Sequence, residues 1–152
     1  MTIQSPVIEP NGLIPPRYTC DGDGVNPPLV FAAVPANAKS LVLIMDDPDV
    51  PQDLKEDGLW NHWVLWNIPA DLREIQEDAT ELPCMVGRNT NGVAAYHGPC
   101  PPDREHRYFF RLYALDTMLN DDPKVTRPDL DEAMTGHVLA EAELMGRYDR
   151  PR

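Results

Sequence analysis

The chain has 152 residues, 42% of them hydrophobic and 25% charged, the size and composition of one globular domain that buries about two thirds of its unfolded surface. Thirteen Lys and Arg against 25 Asp and Glu leave a net charge of -12, so the average surface repels nucleic acid and anionic lipid headgroups, and no apolar run is long enough to span a bilayer. Nucleic-acid binding and an integral membrane role are excluded on this reading. An anion binds such a protein only where donors converge locally, because remote charges are screened over about 8 Å.

The first residues, Met1-Thr2-Ile3-Gln4-Ser5-Pro6, show neither the basic n-region nor the apolar h-region of a secretory signal, and a cytoplasmic location is expected. Seventeen prolines, clustered at 15–16, 27–28, 48–51 and 99–102, cut the chain into short segments, because proline breaks helices and central strands. Between the clusters lie four strand candidates rich in β-branched, aromatic and leucine side chains: Leu29–Val34, Ser40–Met45, His62–Ile68 and Tyr108–Leu115. Short strands with long connections predict a mainly β, largely antiparallel protein. The stretch Asp71–Gly98, with the turn-forming Asn89-Thr90-Asn91-Gly92, reads as a long surface excursion that helps wall a site.

Beyond Pro123 the pattern changes. Leu130, Met134, Val138, Ala142 and Met145 recur every three or four residues, which predicts one C-terminal amphipathic helix ending at Gly146-Arg147. Thr126 is its cap, Pro128 suits its first turn, and Asp129 and Asp131 favour the positive end of its dipole. No repeat or low-complexity linker divides residues 1–152, so one domain is expected. Cys20, Cys84 and Cys100 are odd in number and widely spaced. They read as reduced, mostly buried thiols, with a Cys20 to Cys84 bridge as the open alternative.

Two histidine-bearing stretches carry the chemistry. Asp47-Pro48-Asp49-Val50-Pro51 follows the apolar strand Leu41–Met45; aspartates flanking a proline commonly bond their own backbone and tighten a turn. His62 raises the functional reading, because a histidine at a strand end near carboxylates is oriented through one nitrogen and donates with the other. In the second stretch, Gly98-Pro99-Cys100-Pro101-Pro102 leads to His106-Arg107-Tyr108, where alternation puts His106 and Tyr108 on one face and Arg107 on the other. Two imidazoles and a phenol then offer donors to a phosphate or carboxylate, with Asp47 and Asp49 favouring protonated imidazole and Arg107 a buried partner for a carboxylate.

A competing reading is a metal-dependent hydrolase using His97, Cys100, Asp103 and His106, four ligand types that zinc accepts. The intervening prolines exclude a helical array, and the spacing matches no strong ligand signature. Cys100 as a nucleophile needs a lowered thiol pKa, and an unreactive loop thiol is the simpler reading. His137 reads as a histidine bonded within the fold, and Trp60, Trp63 and Trp66 as packing residues, with Trp63 and Trp66 on opposite faces of their strand.

The two stretches belong to a longer series of motifs. Tyr18-Thr19-Cys20-Asp21-Gly22, Asn26-Pro27-Pro28-Leu29, Asp47-Pro48-Asp49-Val50-Pro51, His62-Trp63-Val64-Leu65-Trp66-Asn67-Ile68-Pro69, Gly98-Pro99-Cys100-Pro101-Pro102, His106-Arg107-Tyr108 and Ala133–Ala140 occur in order along nearly the whole chain. This series resembles the phosphatidylethanolamine-binding protein family, which includes the Raf kinase inhibitor proteins, and in particular its bacterial and archaeal branch. The resemblance implies a large antiparallel sheet, a smaller sheet, a peripheral helix and a shallow anion pocket. It places Asp47, Asp49, His62, His106 and Tyr108 in that pocket, with Pro101 on a less direct match.

It further implies a non-enzymatic protein, without a cofactor, that binds a phosphate, a phospho-headgroup or a carboxylate and regulates or inhibits a protein kinase or a serine protease. One departure stands out: Arg104-Glu105-His106-Arg107 occupies a place where the family often has Gly-x-His-Arg. Arginine resists the left-handed backbone that glycine permits, so the loop before His106 is expected to run differently, with Arg104 a candidate for the pocket rim.

Overall fold

Eight strands form: β1 (Thr2–Gln4), β2 (Leu29–Ala32), β3 (Ser40–Asp47), β4 (Trp60–Pro69), β5 (Glu74–Ile75), β6 (Met85–Val86), β7 (His106–Leu115) and β8 (Val138–Tyr148). The computed structural model describes residues 1–152 and adds one helix, α1 (Arg127–Met134), and a single 3-10 turn at Pro16–Tyr18. Five strands make an antiparallel sheet in the order β6-β4-β3-β7-β8, and three make a small antiparallel sheet in the order β1-β2-β5. The mainly β expectation holds, and all four strand candidates are strands.

The period of two along β3 explains the layering. All eight of its residues are buried: Leu41, Leu43 and Met45 face the small sheet, where they meet Ile3, Leu29, Phe31 and Ile75, and Val42 and Ile44 face the other way, towards Leu130 and Met134 of α1. Trp63 and Trp66 divide between the same two cores, as the alternation of β4 requires. A strand covered on both faces reads as a continuous apolar run, which is what Leu41–Met45 is.

The C-terminal helix is shorter than expected. Thr126 does cap it, donating from its backbone to Asp129 Oδ2 at 2.9 Å and accepting the Asp129 N–H at 3.3 Å. The helix ends at Met134, Gly136 takes φ 82°, and the chain turns back as β8 instead of continuing to Met145. Residues 140–148 also carry a period of two, with Leu144, Gly146 and Tyr148 buried and Glu141 and Met145 less so. Pairing with β7 along ten residue pairs decides in favour of the strand, since sheet context overrides the helix propensity of Ala, Glu and Leu. The excursion Asp71–Gly98 is likewise more ordered than predicted, adding β5 to the small sheet and β6 to the large one. No helix is long and apolar enough to cross a membrane.

Cys20 and Cys100 form a disulfide, and Cys84 is free. This corrects both the expectation of three thiols and the alternative Cys20 to Cys84 pairing. The bridge joins two loops that also touch through backbone: Cys20 N–H donates to Pro99 O at 3.1 Å, and Tyr96 Oη–H to Tyr18 O at 2.8 Å. Gly98 permits this approach, because a Cβ there would lie 2.6 Å from Tyr18 O.

Candidate functional site

The C-terminal end of β3, the N-terminal ends of β4 and β7 and the Gly98–Pro102 loop enclose a cavity of about 210 Å³. It is below the roughly 300–1,000 Å³ typical of drug-sized ligands and suits a small group. Asp47, Trp60, His62, His97, His106 and Tyr108 supply its polar lining, and Val50, Leu54, Pro101 and Pro102 its apolar wall. Cys100 also lines it, so the disulfide anchors one side.

Strict alternation along β4 would put His62 on the same face as Val64 and Trp66, away from the cavity. A β-bulge corrects this. Met45 pairs with Trp63 and Asp46 with Asn61, which leaves His62 unopposed and turns it to the side of Trp63 and Tyr108. Its ring then meets Tyr108 edge-on at 5.3 Å and stacks on His97 at 5.6 Å. His62 Nδ1 lies 2.6 Å from His97 O, and since a carbonyl only accepts, Nδ1 carries the proton. Burial pushes the His62 pKa down to about 3, so the ring is neutral and its Nε2 is an acceptor. This overturns the expectation of a protonated imidazole at His62. His97, which walls the cavity from the excursion, is also pushed down by burial.

His106 is held on both sides. Its Nδ1 lies 2.6 Å from Asp47 Oδ2 and its Nε2 2.7 Å from Asp103 Oδ1. Both contacts are hydrogen bonds only when two protons are shared among Asp47, His106 and Asp103. The other Asp47 oxygen accepts the Asp49 N–H at 2.7 Å, so the aspartate both tightens its own turn and orients the histidine. Burial pushes the Asp47 carboxyl up, against the downward pull of its bond to His106. Asp103 is held below the usual carboxylate range by its bond to His106.

Two donors at the cavity have no partner at all. Trp60 Nε1–H and Tyr108 Oη–H are both buried and unbonded. An unsatisfied buried polar group costs stability, and such groups in a cleft point to a missing partner. Burial, reinforced by the nearby Asp47 and Asp49, pushes the Tyr108 phenol up, so it stays protonated as a donor.

Of the expected site residues, Asp47, His62, Pro101, His106 and Tyr108 are brought together around the cavity, and Asp49 is not. Its carboxylate turns outward and grips Arg107 through three bonds of 2.8 to 3.0 Å, which hold it below the usual range. Arg107 is thus a carboxylate partner as expected, but an exposed one. Arg104 also stays outside, exposed, with Nε 3.9 Å from Asp103. Trp60, read from sequence as packing, belongs to the site instead, and His137 pairs with Asp116 at 2.8 Å as a structural histidine.

The hydrolase tetrad is not assembled. The Cys100 sulfur is bonded to Cys20, both His106 nitrogens face carboxylates, and no group of three or more His, Cys, Asp and Glu side chains converges as a ligand set. Sequence reasoning missed the role of Asp103 because it weighed that residue only as a metal ligand; its spacing three residues before His106 is the one signal available.

The comparisons agree with this architecture. The family model described as phosphatidylethanolamine-binding protein matches residues 4–149. A UPF0098 protein of Chlamydia pneumoniae is 47% identical over 150 residues, covering 99% of each chain. A putative phosphatidylethanolamine-binding protein homologue of Chlamydia trachomatis, CT736, is similar with a TM-score of 0.96 and 47% identity over 99% of this chain and 97% of that one. Escherichia coli YbcL, described as a member of the mammalian family, has a TM-score of 0.88 at 28% identity, covering 99% and 98%. Motif order, sheet topology and these similarities together make this chain a member of the phosphatidylethanolamine-binding protein family.

Proposed function

We propose that this protein is a non-enzymatic binding protein for a small oxyanion, a phosphate or phospho-headgroup, seated in the cavity between His62, His106 and Tyr108. The observation that carries the reading is the pair of buried, unpartnered donors, Trp60 Nε1–H and Tyr108 Oη–H, on residues that line the cavity. Oxygen acceptors on a bound ion would complete both. No Lys or Arg lines the cavity, so these neutral donors and the His106 system, rather than a cationic clamp, do the recognition.

The absence of an activated nucleophile supports a binding role over catalysis. No Ser, Thr or free Cys lines the cavity, Cys100 is oxidised, and His62 is fixed through Nδ1 on a backbone carbonyl. The apolar wall of Val50, Leu54, Pro101 and Pro102 favours an anion carrying an organic substituent. The disulfide favours an oxidising compartment over the cytoplasm expected from the N-terminal residues.

Isothermal titration with inorganic phosphate tests the reading. Wild type should bind, and Tyr108→Phe, which removes one donor while keeping the ring, should bind about tenfold more weakly. No heat from wild type at millimolar phosphate would overturn it.

A further inference from the structure

His106 holds two carboxylates, and they are not equivalent. Asp47 is buried on β3, its two oxygens fixed by His106 and by the Asp49 N–H. Asp103 lies on the exposed segment between Pro102 and His106, with its side chain 40% accessible. Its bond to His106 Nε2 is supplemented by the backbone N–H of Arg104 and by a 3.9 Å contact to that residue's exposed guanidinium. The inner bond is part of the sheet; the outer one can be exchanged by rotating one solvent-facing side chain.

The outer nitrogen is also the one that a ligand needs. With Nδ1 committed to Asp47, Nε2 is the one ring nitrogen of the cavity-lining His106 that is not tied to the sheet, and the carboxylate of Asp103, itself outside the lining, stands on it. We propose that Asp103, reaching in from outside the cavity lining, is a built-in occupant of His106 Nε2, holding there the place that a ligand oxygen takes, and that it thereby selects hydrogen phosphate and phosphomonoesters over carboxylates. This rests on the oxyanion reading of the cavity and adds the residue that enforces its selectivity.

The selectivity follows from two physical differences. A free carboxylate that displaces Asp103 exchanges one carboxylate–imidazole bond for another, while losing its own translational freedom. An intramolecular competitor at high effective concentration therefore excludes it. A phosphate gains more on entry: its additional oxygens can accept from Tyr108 Oη–H and Trp60 Nε1–H, which have no partner. Hydrogen phosphate and a phosphomonoester monoanion also carry an O–H, which matches the acceptor Nε2 of neutral His62. An ionised carboxylate has no proton to offer there. Asp103 is in this sense a specificity-determining residue, and its displacement is the first step of binding.

The test is calorimetric titration of wild type, Asp103→Ala and Asp103→Asn with inorganic phosphate and, separately, with acetate, with a thermal melt of each variant to establish folding. In wild type, phosphate should bind and acetate should not. Asp103→Ala should bind phosphate about tenfold tighter and should now bind acetate, which supplies the missing side-chain group, in competition with phosphate. Asp103→Asn, which keeps an acceptor without its charge, should fall between the two.

Phosphate affinity unchanged or weakened in Asp103→Ala, with acetate silent, would overturn the occupant role while leaving the oxyanion site intact. Acetate binding to wild type as tightly as phosphate would overturn the selectivity. Failure of phosphate to bind any of the three proteins would overturn the oxyanion site itself and the occupant with it.

Discussion

Asp47 Oδ2 and His106 Nδ1 lie 2.6 Å apart with both side chains sealed from solvent, which makes this pair a buried link between β3 and β7. Removing one member leaves the other buried without its partner, whereas removing both leaves an apolar gap. Asp47→Ala should therefore cost about 3–5 kcal/mol in guanidinium unfolding. The double variant Asp47→Leu with His106→Phe should cost much less than the sum of the single changes. Additive losses would show that the two residues stabilise the fold independently.

The disulfide makes a second prediction. Cys20 and Cys100 are 80 residues apart, and tying such a loop restricts the unfolded chain enough to stabilise the fold by about 4.5 kcal/mol in the chain-entropy model. Reduction, or Cys20→Ser, should lower the guanidinium midpoint without unfolding the protein in buffer, because the Cys20–Pro99 and Tyr96–Tyr18 bonds remain. Peptide mapping should recover the Cys20–Cys100 pair. Cys84, whose thiol burial pushes up to about 11, should alkylate slowly at neutral pH. A midpoint indifferent to reductant would count against the bridge.

A third prediction concerns the opposite face of the sheet, where Asp46 is buried and accepts from two guanidinium groups. Arg111 bonds it at 2.9 and 3.1 Å, and Arg127, the first residue of α1, at 3.0 Å. Arg127 also reaches Asn61 Oδ1 at 2.9 Å, so the helix is tied to β3 and β4 beside the site. Arg127→Ala should loosen α1 selectively, seen as faster amide exchange at Leu130 and Met134 with β7 and β8 still protected. Equal acceleration in both elements would show that α1 does not open on its own.

The sheet was legible in the sequence because its strands are apolar, β-branched and bounded by proline. The pocket was legible in outline because residues at strand ends keep their place when the strands pair. What escaped has specific causes. β8 carries helix-forming residues and becomes a strand only through its long partnership with β7. Cysteine pairing depends on which loops meet, and the Gly98 approach to Tyr18 is invisible in one dimension. The bulge at His62 defeats alternation counting, and the outward turn of Asp49 follows from the position of Arg107 across the loop.

The neutral state of His62 leads to a pH dependence. An imidazole free in the unfolded chain titrates near 6.5, while burial holds this one down to about 3 in the folded protein. Between those values the unfolded state takes up a proton that the folded state refuses. The stability is therefore fully present above about pH 6.5 and falls as pH drops, with a slope approaching 1.4 kcal/mol per unit. Roughly 1.6 kcal/mol should be lost between pH 6.5 and 5. The carboxylate of Asp49, held low by Arg107, weakens the fold only at more acid pH, and Asp47, pushed up by burial, takes its proton more readily in the folded state and opposes the decline at the acid end. His97 is displaced in the same direction as His62 and leaves a residual slope. His62→Asn replaces the ring with an amide whose N–H can still donate to His97 O but which does not titrate. Urea unfolding at pH 6.5, 6.0, 5.5 and 5.0 should give a steep decline for wild type and a shallower one for the variant, and parallel declines would show that His62 is not the group responsible.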